Sequence, residues 1–192
     1  MRLIELIGET AYRAAQAAGG IPPEGDGGPE ITAVTADSRT VVPGALFAAL
    51  PGTAHDGRAF IADAVAAGAA AILATPGTAL APGAVLLTDD NPRRRLAMMA
   101  ATFSGMQPES IAAVTGTNGK TSVVTFLRQI WRELGLESAS IGTLGVYRAD
   151  GVAVHGPSLT TADPVSLHRT LADLARDGVD HLAMEASSHG LD

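Results

Sequence analysis

Ser110-Ile111-Ala112-Ala113-Val114-Thr115-Gly116-Thr117-Asn118-Gly119-Lys120-Thr121-Ser122 is the stretch whose reading decides the fold. Ile111–Val114 is a short apolar run of the kind that forms a buried strand, and Lys120–Leu134 carries helical spacing. A strand, a glycine-flanked turn and a helix in that order make an α/β unit. The turn also has a chemistry. Glycines let backbone N–H groups close around phosphate oxygens, and the helix N-terminus adds the positive end of its dipole. Lys120 is placed to neutralise β/γ-phosphate charge, and the Thr121 hydroxyl to hold Mg²⁺. The usual phosphate loop would put its first glycine at Val114, five residues before Gly119. Here only Thr117-Asn118 separates the glycines, so the loop is a compact version; the plainer alternative is a glycine turn that caps a helix.

Working outward, the alternation continues on both sides. Downstream, Ser138–Gly142 reads as a strand, Val146–Val154 as a hairpin turning at Asp150-Gly151, Pro164–Arg176 as a helix and Val179–Met184 as a strand. Upstream, Leu3, Leu6, Ile7 and Ala14 predict one helix that fades by Gly19-Gly20, followed by a loop over Ile21–Pro29. Strands are expected at Ile31–Thr35, Ala45–Leu50, Ala69–Ala74 and Ala84–Thr88, with a helix over Arg58–Ala67. Asn91-Pro92 offers an N-cap and first-turn proline for a helix to about Phe103. The fold class is therefore α/β, with mostly parallel sheets covered by helices. The chain divides into residues 1–108 and 109–192, and the second part looks cut short just past a strand.

Composition narrows the function. Of 192 residues, 46% are apolar and 17% charged, enough to bury a core. Twenty acids against 13 bases leave a net charge of −7, which argues against a general nucleic-acid binder. Without cysteine there are no disulfides, thiolate metal sites or thiol nucleophiles, which fits a cytoplasmic protein. Glu5 and Glu9 interrupt the N-terminus where a signal peptide needs an apolar run, and the alanine-rich stretch around Gly68 is too short to span a bilayer.

The segment Ala113–Thr121 closely resembles the ATP loop of the Mur ligases and their relatives, the folylpolyglutamate and cyanophycin synthetases. Thr160-Thr161-Ala162-Asp163-Pro164 and Met184-Glu185-Ala186-Ser187-Ser188-His189-Gly190-Leu191 resemble the paired motifs of the MurE branch. Asp37-Ser38-Arg39, Pro43-Gly44-Ala45-Leu46-Phe47 and His55-Asp56-Gly57 resemble that branch's uridine-binding domain. The resemblance runs in order from about residue 30 to the end.

It implies a small N-terminal uridine-binding domain followed by part of a P-loop-type central ATPase domain. The implied activity is ATP-dependent addition of the third stem-peptide amino acid, diaminopimelate or lysine, to UDP-N-acetylmuramoyl-L-alanyl-D-glutamate through an acyl phosphate. ATP and Mg²⁺ are the implied cofactors, with the UDP-linked dipeptide and an amino-acid acceptor as partners. A monomer without nucleic-acid or membrane partners is expected. By the same resemblance, Gly116, Thr117, Asn118, Gly119, Lys120, Thr121 and Ser122 hold the ATP phosphates, and Thr121 and Glu185 bind the metal. Lys120 and Glu185 are the catalytic pair. Ala36, Ser38, Thr53, Ala54, His55, Leu159, Thr160, Thr161 and Ser187 contact the UDP-substrate. His189 lies in the motif without an assignable role.

Three of these segments also have simpler explanations. Asp37-Ser38-Arg39 can also be an ordinary polar turn, His55 a solvated loop histidine, and Thr160-Thr161 a helix N-terminal cap before Pro164, although Asp163 is the better cap. Asp90-Asn91-Pro92-Arg93 spells the signature that MurE enzymes use for diaminopimelate, but in the family it lies in the C-terminal domain; here it reads as a helix cap. The family's acceptor-binding domain would follow Asp192, so the 192-residue chain is expected not to complete the reaction alone. Two alternatives remain at this point: a non-catalytic UDP-sugar-binding module, and a ligase of the cyanophycin or folylpolyglutamate type.

Overall fold

The computed structural model describes residues 1–22, 27–52, 56–79, 82–154 and 163–186. Within it the chain forms two compact units, Met1–Phe103 and Ser104–Asp192. In the first, β1 (Ala33–Thr35), β2 (Ala45–Ala48), β3 (Ala71–Ala74) and β4 (Val85–Thr88) form an all-parallel sheet in sequence order. Ala45-Leu46-Phe47-Ala48 and Ala71-Ile72-Leu73-Ala74 are buried at every position, because the two inner strands of a covered parallel sheet meet apolar neighbours on both faces. Phe47 and Ile72 pack with Ile61 and Ala64 in this core.

The single N-terminal helix expected from sequence is in fact two, α1 (Leu3–Ile7) and α2 (Glu9–Ala17). Gly8 stands between them at φ +82, a conformation that costs glycine nothing but ends a helix, and its carbonyl then accepts from Tyr12 N–H to start the next. The expected helix over Arg58–Ala67 opens as a 3-10 turn, Gly57–Phe60, before α3 (Ile61–Ala66). At α4 (Pro92–Ser104), the Asn91 side chain accepts from Arg94 N–H at 3.0 Å, and Asp89 accepts from Asn91 N–H at 2.8 Å. The Asp90–Arg93 signature is therefore used as a cap.

In the second unit the sheet order is β5 (Ser110–Val114), β9 (His181–Glu185), β6 (Ser138–Gly142), β7 (Gly145–Arg148) and β8 (Ala153–Val154). The first three are parallel; β6–β7 and β7–β8 are antiparallel. Helix α5 (Lys120–Glu133) packs against β9 and β6, and α6 (Pro164–Arg176) places Leu171 and Leu174 against Ile141 and Leu182. Asp163 caps α6 by accepting from Val165 and Ser166 N–H, with Pro164 at the first helical position. The tight turn Thr143-Leu144 folds β7 back on β6 with Gly142 opposite Gly145, an additional hairpin beside the one expected at Asp150-Gly151. Among the described residues, no helix is long and apolar enough to cross a membrane.

Candidate functional site

The strand order of the second unit makes the site. Because β9 inserts between β5 and β6, the C-terminal ends of three parallel strands lie side by side, the position where open α/β sheets bind ligands. From β5 emerges the glycine-flanked loop, from β9 Glu185, and from β6 the turn that begins with Thr143. Register fixes their proximity: Val114 pairs with Glu185, and Ala186 N–H donates to the Val114 carbonyl at 2.9 Å.

The loop has the expected local form. Gly116 and Gly119 sit at φ +144 and +82, values that side-chain-bearing residues rarely adopt. Among the described residues, a Cβ on Gly119 would meet nothing within 4 Å, so the space over the loop is open. Gly119 is also the N-cap of α5 and, having no side chain, supplies no capping acceptor. The first-turn N–H groups of Lys120, Thr121 and Ser122 have no partner within the helix, as at any helix N-terminus, and such groups are ready donors for an anion. Gly116, Thr117, Asn118, Gly119 and Ser122 are exposed, and Lys120 and Thr121 half-buried. The Lys120 ammonium folds back over the loop and donates to the Gly116 carbonyl at 2.6 Å.

Glu185, half-buried, accepts from the Thr143 N–H at Oε1 and from the Thr143 hydroxyl at Oε2, each at 3.1 Å. Beside it lies a cavity of about 220 Å³. Thr121, Val124, Thr125 and Arg128 line it from one face of α5, Ser140 and Gly142 from β6, Leu144, Gly145 and Tyr147 from the hairpin, and Glu185 from β9. Thr121 and Glu185 thus share one cleft. Both offer hard oxygen donors, which suit Mg²⁺, an ion that commonly takes one or two protein ligands and fills the rest with phosphate oxygens and water. Among the described residues there is no cluster of three or more His, Asp or Glu that could bind a metal alone. The donor set therefore fits a metal that arrives with phosphate.

Sequence reasoning missed three residues here. Arg128 is buried, donates to the Arg148 and Ala149 carbonyls at 2.7 and 3.3 Å and lies 5.9 Å from the Tyr147 ring, tying α5 to the hairpin. Its helical spacing from Thr121 was the available signal. Gly142 and Thr143 were signalled by a glycine-flanked dipeptide straight after a strand.

In the first unit, Ala36 is exposed at the end of β1 and Ser38 half-buried in the 3-10 turn Ser38–Thr40. Asp37 caps that turn by accepting from Arg39 N–H at 3.0 Å, and the Arg39 guanidinium grips the same carboxylate. That guanidinium holds the Asp37 carboxyl down at about 2. Asp56 and Arg58 repeat the arrangement after β2, so both turns stand at the C-terminal ends of adjacent parallel strands. Asp37-Ser38-Arg39 is accordingly a polar turn in form, in a place where α/β sheets take ligands. Thr53, Ala54, His55, Leu159, Thr160, Thr161, Ser187 and His189 lie outside the described residues.

A glycine-flanked loop beside an acid on a neighbouring parallel strand, at the C-terminal edge of an α/β sheet, is an arrangement that nucleotide-binding α/β proteins use. The Mur ligase catalytic-domain model matches residues 30–114 and the Mur ligase middle-domain model residues 114–192. The chain belongs to the Mur ligase family. Within that family it is 56% identical to the UDP-N-acetylmuramoyl-L-alanyl-D-glutamate–2,6-diaminopimelate ligase of Rhizobium meliloti over 85% of this chain and 33% of the relative. Identity to the ligase of that name from Brucella melitensis is also 56%, over the same shares. A solved structure of a UDP-N-acetylmuramoyl-L-alanyl-D-glutamate–2,6-diaminopimelate ligase superposes with a TM-score of 0.72 at 29% identity, covering 84% of this chain and 33% of that one. The chain thus spans about a third of the length of these relatives.

Proposed function

We propose that this chain is the substrate- and nucleotide-binding part of an ATP-dependent ligase that adds diaminopimelate to UDP-N-acetylmuramoyl-L-alanyl-D-glutamate. The observation that carries this is the shared cleft of Thr121 and Glu185 beside the phosphate loop; the names of the relatives support the acceptor and the UDP-linked substrate. In such a reaction the substrate carboxylate oxygen attacks the γ-phosphorus and ADP leaves. The acceptor amine then adds to the acyl carbon, and inorganic phosphate and one proton depart as the amide forms.

The residues of this chain have definite parts. The N–H groups of Gly116–Ser122 bind and orient the phosphates, and the Lys120 ammonium exchanges the Gly116 carbonyl for an anionic oxygen. Thr121 and Glu185 would hold Mg²⁺, which when bound offsets phosphate charge. Positioning and charge compensation are most of what phosphoryl transfer requires. Residues 1–108, through Ala36, Ser38 and the segment Thr53–His55, would take the uridine end of the substrate. Leu159, Thr160, Thr161 and Ser187 would contact its muramoyl-peptide end. The reaction belongs in the cytoplasm, where ATP and UDP-linked precursors are found, and the unit acts as a monomer.

Two calorimetric titrations test this on the chain itself, one with Mg·ATP and one with UDP-N-acetylmuramoyl-L-alanyl-D-glutamate. Heats of binding for both are expected, without amide formation when diaminopimelate is added. Absence of any heat with either ligand at millimolar concentration contradicts the proposal, and so does a preference for a folate over the UDP-linked dipeptide.

A further inference from the structure

We propose that Thr143 is a positioning residue for Glu185: it fixes the carboxylate in the orientation that receives the nucleotide-bound metal, and Gly142 is the position that makes room for it. The inference rests on the reading of Glu185 as a metal ligand, and goes beyond it by naming what aims that ligand.

The geometry is specific. Thr143 donates to both oxygens of Glu185, its N–H to Oε1 and its hydroxyl to Oε2. Each oxygen keeps a free lone pair for a further partner. The backbone donor is held in place by the tight β6–β7 turn, whose flanks Gly142 and Gly145 are paired across the hairpin. In the strand order, Thr143 reaches Glu185 from the β6 side, while the phosphate loop leaves β5 on the other. The carboxylate is therefore held from the side away from the loop.

Gly142 carries the second observation. A Cβ there would lie 2.1 Å from Glu185 Oε1, 2.7 Å from Cδ and 2.9 Å from Cγ, distances that bonded chemistry aside no carbon tolerates. Gly142 is not among the glycines with positive φ, so its backbone would accept a side chain. Glycine at 142 is required by the seated Glu185, not by the turn. Thr143 is exposed, so its hydrogen bonds add little to folding; their consequence is orientation. Partners that orient a ligating carboxylate commonly change metal affinity by roughly 10–100-fold when removed.

Mn²⁺ binding to the 192-residue chain with the β,γ-imido analogue of ATP, followed by electron paramagnetic resonance, tests this without turnover. Thr143→Val keeps the shape and the N–H donor but loses the hydroxyl, and is expected to weaken Mn²⁺ binding roughly tenfold, the low end of that range. Thr143→Ser should restore it. Gly142→Ala, which displaces the carboxylate from both donors, should weaken it more than Thr143→Val does. Nucleotide affinity without metal should stay unchanged in all three, and circular dichroism should show native folding. Wild-type Mn²⁺ affinity in both Thr143→Val and Gly142→Ala overturns the inference, while the reading of Glu185 stands if Glu185→Gln abolishes Mn²⁺ uptake. If Glu185→Gln binds Mn²⁺ like the wild type, or the wild type takes up none, the metal-site reading fails and the inference with it.

Discussion

Replacing Lys120 by methionine separates what the loop does for the fold from what it does for a ligand. Among the described residues the ammonium makes one hydrogen bond, to the Gly116 carbonyl at 2.6 Å, on a loop whose other residues are exposed. Its loss should cost less than about 1 kcal/mol, because water replaces the partner on both sides. Methionine matches lysine in helix propensity, so α5 should start as before. With triphosphate bound, the proposed role sets the same ammonium against an anionic oxygen. Hydrogen bonds to charged groups contribute about 1.5–3 kcal/mol, which at 1.36 kcal/mol per decade is about 10–150-fold in affinity. A bare Coulomb estimate at 4 Å and an effective dielectric of 20, about 4 kcal/mol, sets the ceiling, and solvent at this open loop lowers it. Titration calorimetry with Mg·ATP and, separately, with AMP is the assay, since AMP lacks the β- and γ-phosphates that Lys120 would contact. The expected result is a 10–150-fold loss for ATP, little change for AMP and a stability loss in urea of less than about 1 kcal/mol. Equal ATP affinity in variant and wild type, or an equal loss for AMP, refutes the reasoning.

Three further outcomes follow from other parts of the chain. Gly20→Ala should destabilise the first unit by about 1–3 kcal/mol in urea unfolding, because its Cβ would stand 2.1 Å from the Leu86 carbonyl oxygen, a backbone atom that cannot step aside without moving β4. Asn91→Ala should cost about 1 kcal/mol by removing the cap of α4, with Asn91→Asp retaining most of it. The Asp37 carboxyl should titrate near 2 in a carbon-detected NMR series, and Arg39→Ala should bring it toward 3.8, since the guanidinium hydrogen bond is the main cause of the shift. A carboxyl depressed in the folded state binds fewer protons than in the unfolded chain, so whatever this pair adds to stability is present above about pH 4 and fades as the pH falls toward 2.

Much of the second unit was legible because local signals and tertiary context agree there. The apolar Ile111–Val114 run, the two glycines and the amphipathic Lys120–Leu134 segment each specify the same strand–loop–helix. Ser138–Gly142 and Pro164–Arg176 came out with the same bounds for similar reasons, a β-strand flanked by a turn and a helix announced by Asp163-Pro164. Glu185 was placed at a strand end by pattern, but its neighbour was not, because nothing local says that β9 will insert between β5 and β6. The Thr143 contact depends on that insertion and spans 42 positions in sequence. The break at Gly8 is hidden for a different reason. A single glycine inside a helical apolar pattern is tolerated or breaks the helix according to its φ, which packing decides. The burial of Arg128 depends on hairpin carbonyls 20 and 21 positions away, at Arg148 and Ala149, which no local signal announces.

The most direct test of the account is a crystal structure of this chain with Mg²⁺ and the β,γ-imido analogue of ATP. The account predicts the triphosphate over Gly116–Gly119, the Lys120 ammonium turned from the Gly116 carbonyl to a phosphate oxygen, and one Mg²⁺ at about 2.0–2.1 Å from both Thr121 Oγ1 and a Glu185 carboxylate oxygen. A nucleotide bound away from the loop, or a metal held there with Glu185 still turned only to Thr143, would contradict it.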